Sequence, residues 1–314
     1  MDNARPIGPR WLHERIARGG LIILDGATGS ELERRGVGMH AVAWSGACII
    51  EHGDVLRGIH EDYIRAGADI IITNTFSTAR HMLEPIGFGD QVERINRRAV
   101  EIAREARDNV AKGEVAIAGS MANFLADSHD LYWCKPSILR STYAEQASAL
   151  AEAGVDLIAL EMLQRPEVAE PAVDAALDTG LPVWAGVSCR AHQNGRGLKA
   201  FDYPDQPFED IVKLVASKPV AVITVMHSEV PDTGPGLEAV RHHWDGWLGA
   251  YPNSGYFNPP HWEFVDIVSP QELVDAARHW ITQGARIVGG CCGLGPAHVD
   301  ALKQQLPNFI DEQC

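Results

Sequence analysis

Eight short apolar runs recur along the chain: Leu21 to Leu24, Asp69 to Thr73, Val115 to Gly119, Asp156 to Leu160, Val183 to Val187, Ala221 to Val225, Trp247 to Ala250 and Arg286 to Gly289. Continuous apolar runs of this length are strands buried on both faces, as in a parallel sheet. Between most of them lie amphipathic helical stretches, such as Asp54 to Ala66, Tyr143 to Ala153 and Pro270 to Gln283, several ending in an Ala-Gly or Gln-Gly helix stop. The alternation predicts an α/β fold, a single (β/α)8 TIM barrel domain over residues 1–314, with the active site at the C-terminal ends of the strands. No internal repeat, low-complexity tract or interdomain linker interrupts it. The Pro- and Gly-rich stretch Pro231 to Gly236 reads as a loop after the sixth strand, and Tyr251 to Pro260 as a longer loop after the seventh.

The residues just past each run carry the chemistry. Asp25 comes after the first, Asn74 and Thr75 after the second, Ser120 after the third and Glu161 after the fourth. Ser188 and Cys189 come after the fifth, His227 after the sixth, Asn253 after the seventh, and Cys291 and Cys292 after the eighth. In a barrel of this kind all of these positions ring one mouth. One polar residue after a strand is a turn residue; a polar or metal-binding type after every strand predicts a site there.

Composition narrows the setting. A chain of 314 residues with 46% hydrophobic and 22% charged residues has material for a large core. No stretch approaches the ~20 apolar residues that span a bilayer, and the N-terminus lacks a signal pattern, so a cytoplasmic protein is expected. The net charge of −15 argues against nucleic acid or an anionic membrane as partner and is compatible with a cationic small substrate. Cys48, Cys134, Cys189 and Cys314 are scattered without the density of a disulfide framework, so thiols would be free to bind metal. Cys314 reads as an exposed thiol without function.

Cys291 and Cys292 differ from these. They end the run Arg286-Ile287-Val288-Gly289-Gly290, where a strand closing on glycines delivers two sulfurs to one place. Adjacent cysteines rarely pair with each other, because the ring so formed is strained. Two thiolates at a strand end are the start of a metal site.

The chain resembles the homocysteine S-methyltransferases, which include betaine- and S-methylmethionine-homocysteine methyltransferases and the homocysteine module of cobalamin-dependent methionine synthase. The resemblance rests on Leu24-Asp25-Gly26-Ala27-Thr28-Gly29-Ser30-Glu31-Leu32, on Ala66-Gly67-Ala68-Asp69 running into Thr73-Asn74-Thr75-Phe76, and on Gly154-Val155-Asp156-Leu157-Ile158-Ala159-Leu160-Glu161. Tyr251-Pro252-Asn253-Ser254-Gly255 and Gly289-Gly290-Cys291-Cys292 complete it. It implies a zinc-dependent barrel that moves a methyl group from a sulfonium or quaternary ammonium donor to the sulfur of homocysteine, or of a related thiol or selenol, giving methionine in the first case.

In that family the zinc is held by the cysteine pair and a third cysteine after the sixth strand. Here the sixth strand reads Val222-Ile223-Thr224-Val225-Met226-His227-Ser228. His227 and Cys189 therefore compete for the third position, and strand and spacing favour His227, since two thiolates, one imidazole and an open position form a catalytic zinc set. By the same resemblance Asp25 and Glu161 contact the acceptor's ammonium. Gly26, Ala27, Asn74, Thr75 and Ser120 are candidates around its carboxylate and Asn253 is a further substrate-binding candidate, with helix capping as the competing role for Asp25. Trp44, Phe76 and Tyr251 are the aromatics that could face a methylated cation.

Metal-assisted hydrolysis on the same fold is disfavoured, because paired thiolates suit zinc with soft sulfur. The exchanged ligand keeps a zinc-free amino-acid-binding homologue open, and the homocysteine-binding subunit of a corrinoid methyl-transfer system is a separate reading. The donor stays open too, as does a homo-oligomer through the helical segment after Pro296.

Overall fold

The computed structural model describes residues 5–123, 135–192 and 197–308; Cys134 and Cys314 lie outside the described residues. All eight runs are strands: β1 (Ile22–Ile23), β2 (Ile70–Ile72), β3 (Ala116–Ala122), β4 (Leu157–Leu163), β5 (Val183–Val187), β6 (Val222–Glu229), β7 (Trp247–Asn253) and β8 (Ala285–Val288). Each pairs in parallel with its neighbours in the chain, from β2 through β8, and β8 returns to β1 through Ile22↔Ile287 and Ile23↔Val288. A bridge between Leu24 and Ile70 joins β1 to β2, so the sheet forms a (β/α)8 barrel. The helices Gly53–Ala66 and Pro136–Ala153 stop at Gly67 and Gly154, whose φ of 100° and 86° need glycine.

The strands face two cores. Ile22, Leu24, Ile70, Ala116, Ala118, Leu157, Ala159, Trp184, Val222 and Ile287 fill the barrel interior. Ile23, Ile71, Ile117, Ile158, Val183, Ala185, Val187, Ile223 and Val225 pack outward in a second cluster with residues of the surrounding helices. The two sets alternate along each strand with the period of two that a pleated strand imposes. Ile7, Leu12 and Ile16, from the first helix (Arg10–Ala17) and the residues before it, plug the end of the interior at the strand N-termini, where Trp184 Nε1 donates to the Ile7 carbonyl at 2.7 Å.

Three expectations are corrected. Pro231 to Gly236 is not a loop but the first turns of the helix Val230–Arg241. Pro231 sits in the opening turn, where a missing N–H costs nothing. A Cβ on Gly236 would meet Cys189 Sγ and Val225 Cγ1, each at 2.9 Å, so this glycine lets the helix lie close on the sheet. Tyr251 to Pro260 is likewise not one long loop: Tyr251 and Asn253 belong to β7, and a hairpin comes next, pairing Tyr256–Asn258 with His261–Glu263. Finally, β3, β4 and β6 run past their apolar stretches, so Ser120, Glu161 and His227 lie within strands rather than after them. No described helix is long and apolar enough to cross a membrane.

Candidate functional site

At the mouth, β6 and β8 bring three potential ligands together. Strand β6 would continue the outward series Ile223, Val225 to residue 227, but its register with β7 shifts between Met226 and Glu229. His227 takes a left-handed backbone, φ 43°, in that irregularity. Histidine tolerates this region better than most residues, and the bulge re-aims its side chain to the mouth. Strand β8 ends on two glycines under close neighbours: a Cβ on Gly289 would lie 2.5 Å from Leu24 Cβ, and one on Gly290 2.7 Å from Leu294 Cβ. The turn they permit is held by Gly290 N donating to the Asp25 carbonyl at 3.1 Å and Cys291 N to the Pro252 carbonyl at 2.7 Å.

His227 Nδ1 lies 3.4 Å from Cys291 Sγ, the two sulfurs of Cys291 and Cys292 are 4.0 Å apart, and one atom from each of the three residues falls within 4.8 Å of the others. Bonds of ~2.3 Å to sulfur and ~2.0–2.1 Å to nitrogen at a tetrahedral zinc put sulfurs about 3.8 Å apart and sulfur from nitrogen about 3.5 Å. The spacing and the donor types fit zinc. The hydrogen bond with Cys292, together with burial, pushes the Cys291 thiol well above its ordinary range. Burial pulls the His227 imidazole down, and Cys291, Asp202 and Glu161 together outweigh it, so the net shift is upward.

Cys189 stays apart from this cluster. It is fully buried among the outward-facing residues, 3.7 Å from the Asp232 carbonyl and 3.6 Å from Ser228 Oγ, and burial pushes its thiol up to about 12.

Two carboxyls lie nearby. Glu161 continues the inward series Leu157, Ala159; Ser120 Oγ donates to it, and burial lifts it to about 7 against the opposing influence of Ser120, His227 and Tyr251. Asp25 is no helix cap, since the next helix, Thr28–Arg34, has Ala27 at its N-cap. Its Oδ2 accepts from Ile72 N at 2.8 Å while Oδ1 is buried with no partner. Burial pushes Asp25 well above the carboxylate range, and Glu161 adds to the shift.

The cavity above these groups encloses about 150 Å³. Gly26, Ala27, Trp44, Asn74, Glu161, Tyr251, His227, Cys291 and Cys292 line it; Asp25, Thr75, Ser120 and Asn253 do not. Asn74 is occupied by the loop that carries Trp44, accepting from Ser45 Oγ at 2.8 Å and donating to the Ser45 carbonyl at 3.0 Å. Thr75 Oγ1 donates to the Ser120 carbonyl at 2.7 Å and has a structural part. Asn253 is buried with its Oδ1 unpartnered.

Phe201, Asp202, Phe257 and Trp262 are among the lining residues outside the pattern of strand ends. Phe201 comes after a hairpin beyond β5, Cys189–Ala191 with Leu198–Ala200, and Phe257 and Trp262 stand in the hairpin after β7. The aromatic pattern of Tyr256-Phe257-Asn258 and His261-Trp262-Glu263 about Pro259-Pro260 is a hairpin signal that could have found two of them. Phe257 stacks on Trp262 at 6.3 Å and meets Trp44 edge-on at 6.2 Å; Trp44 meets Phe76 at 6.3 Å. Trp44 Nε1 is a buried donor without a partner. No lysine or arginine lines the cavity among the described residues.

Residues 22–306 match the family model described as homocysteine S-methyltransferase. The chain is 30% identical over 313 residues to the homocysteine S-methyltransferase of Escherichia coli, covering 90% of this chain and 94% of that one. It is 26% identical over 342 residues to the selenocysteine methyltransferase of Astragalus bisulcatus, with 93% of each covered. Among solved structures, the metallated form of the E. coli homocysteine methyltransferase MmuM superposes with a TM-score of 0.75 at 26% identity, covering 95% of this chain and 99% of that one.

Proposed function

The chain belongs to the homocysteine S-methyltransferase family, and on that premise we propose that it transfers a methyl group from a sulfonium or quaternary ammonium donor to the sulfur of homocysteine, or of a close thiol or selenol, at a zinc ion held by His227, Cys291 and Cys292. The observation that carries this reading is the convergence of one imidazole and two thiols within 4.8 Å in the cavity wall. Zinc bound there would act as a Lewis acid that makes a thiol, which titrates near ~8.5 when free, a thiolate at neutral pH.

The remaining steps fall to the chain's own residues. Glu161, in the cavity wall, receives the acceptor's ammonium, and Asp25, outside the lining and coupled to Glu161, adds its charge to the site; a cation there favours the ionised forms that burial disfavours. The backbone N–H groups of Gly26 and Ala27 are the donors for its carboxylate. The aromatic wall of Trp44, Phe76, Phe257 and Trp262 holds the donor cation, an attraction of roughly 0.5–2 kcal/mol per ring. In the displacement the acceptor's S–H proton is released and its sulfur pair forms the new S–CH3 bond. The donor's S–CH3 or N–CH3 bond breaks, and its electron pair stays on the donor, which leaves as a neutral thioether or tertiary amine.

With zinc bound, imidazole in place of a third thiolate would make the centre less negative and the acceptor sulfur a weaker nucleophile, a difference that would favour the more reactive sulfonium donors. Zinc analysis of the wild type beside His227→Ala, Cys291→Ala and Cys189→Ala tests the site. One zinc per chain, lost with His227 or Cys291 and kept without Cys189, is expected; a zinc-free wild type overturns the reading. Side-by-side assays with sulfonium and ammonium donors test the preference, which fails if ammonium donors are faster.

A further inference from the structure

Among the described residues the His227 side chain has one hydrogen-bond partner, Cys291. A histidine that ligates a metal ordinarily donates its other ring N–H to a carboxylate or carbonyl, and that bond fixes the plane of the ring. Asp202 lines the same cavity, but its carboxylate accepts from Gln164 Nε2 at 2.8 Å and makes no hydrogen bond to His227. Two aromatic rings stand against the imidazole instead. Phe201 meets it at 5.1 Å between centroids with planes at 72°, and Trp262 at 5.9 Å with planes at 70°. Both contacts are edge-to-face pairings within the favourable range of separation.

Each ring is itself anchored. Phe201 N donates to the Ser188 carbonyl at 3.2 Å, the next residue's N–H donates to Gln164 Oε1 at 2.7 Å, and the Arg190 guanidinium lies 4.0 Å over the Phe201 ring. Trp262 N donates to Glu33 Oε2 at 2.8 Å, Trp262 Nε1 donates to the Ser254 carbonyl at 3.1 Å, and Phe257 stacks on the ring. Two hairpins, one after β5 and one after β7, thus present fixed rings to one imidazole.

Resting on the zinc reading above, we infer that Phe201 and Trp262 are positioning residues that hold the His227 ring in its ligating orientation, replacing the hydrogen bond that usually does so. The need arises from the ligand type. A cysteine sulfur reaches a metal by one side-chain torsion, whereas an imidazole must also present its lone pair in the ring plane, and histidine χ2 is intrinsically broad. The left-handed backbone at residue 227 sets where the side chain starts; the two rings set how it is turned.

The test measures zinc affinity of the metal-stripped protein by chelator competition, without substrate, for Phe201→Leu and Trp262→Leu in the wild-type and in the His227→Cys background. Each leucine variant is expected to weaken zinc about 10–100-fold when residue 227 is histidine, as loss of an orienting partner does elsewhere, and within about twofold when it is cysteine. Equal losses in both backgrounds, or none with histidine, overturn the inference. Should the cysteine variant not fold, the visible spectrum of the cobalt-substituted protein decides: a band altered in the leucine variants supports the clamp, and an unchanged band refutes it. Absence of zinc from the wild type would refute the site itself, while tight zinc undiminished in both leucine variants would refute the clamp alone.

Discussion

Asp69 and Asp25 are buried aspartates at opposite ends of the barrel. Asp69 enters β2 at the closed end, where its carboxylate accepts from Arg15 Nη1 at 2.8 Å, Ile23 N at 2.9 Å and Lys303 Nζ at 3.3 Å. Asp25 leaves β1 at the mouth, where Ile72 N is its side chain's one hydrogen-bond donor among the described residues and Oδ1 has none. A buried carboxylate oxygen without a donor costs stability. The closed end has been completed by its own chain; the mouth has not. Asn253 Oδ1 and Trp44 Nε1 have the same open character, and Met162 and His227, both in left-handed backbone, lie at this end.

The largest effect should come from the mouth. Cys291→Ala should abolish zinc binding and reduce methyl transfer to background, while thermal unfolding of the metal-free proteins stays within a few degrees; retained activity would dissociate the thiols from the chemistry. At the closed end the effect should fall on stability. Asp69→Ala leaves Arg15 and Lys303 without their shared partner and should cost about 3–5 kcal/mol in denaturant unfolding, with kcat/KM nearly unchanged in the folded enzyme. If activity fell with stability intact, the division between the two ends would collapse.

One group crosses the division. His60, in the helix Gly53–Ala66, is buried with neither ring nitrogen partnered, and burial lowers it to about 4. The unfolded chain binds a proton at His60 below its ordinary value of 6.5 and the folded chain does not until about 4, so stability falls as the pH drops through this interval. That difference is worth about 3 kcal/mol. His60→Leu should remove that part of the acid sensitivity between pH 6.5 and 4, and equal pH slopes for both proteins would show that His60 is not its source.

The smallest expected change sharpens the comparison most directly. Asp25→Asn keeps an acceptor for Ile72 N but cannot ionise, so stability should hold within about 1 kcal/mol while KM for homocysteine rises about tenfold, the loss of a negative charge next to Glu161 when the ammonium is bound. Glu161 adds a pH signature. Its ionised form is the one that holds an ammonium, so kcat/KM should rise as the pH passes about 7, a limb that Glu161→Gln should lack.

The barrel was legible because strands buried on both faces leave unbroken apolar runs. Their ends were less so, since the last inward rung is polar: Glu161 continues Leu157 and Ala159, yet its charge reads as the end of a strand. The same period of two explains Cys189, which extends the outward series Val183, Ala185, Val187 and so packs away from the mouth. By that rule His227 should face outward as well, and only the bulge in β6, which no residue type announces, turns it to the cysteines. The helix over Pro231 to Gly236 misled because Pro231 only opens it and Gly236 answers to packing on Val225 and Cys189, a tertiary demand. Phe201 and Trp262 belong to hairpins brought to the mouth by contacts remote in the chain, among them Glu33 with Trp262.

The seam between β1 and β8 also orders events in time. Ile22 pairs with Ile287, so the barrel cannot close until a further 265 residues have been made, tens of seconds at ~5–20 residues per second on the ribosome. Cys291 and Cys292 come directly after that last strand, and His227 waits on β6 more than sixty residues earlier. During synthesis the nascent chain therefore carries no paired thiols, and once they emerge the walls that will shelter them are already made. The two thiols are the last side chains of the cavity wall to be made.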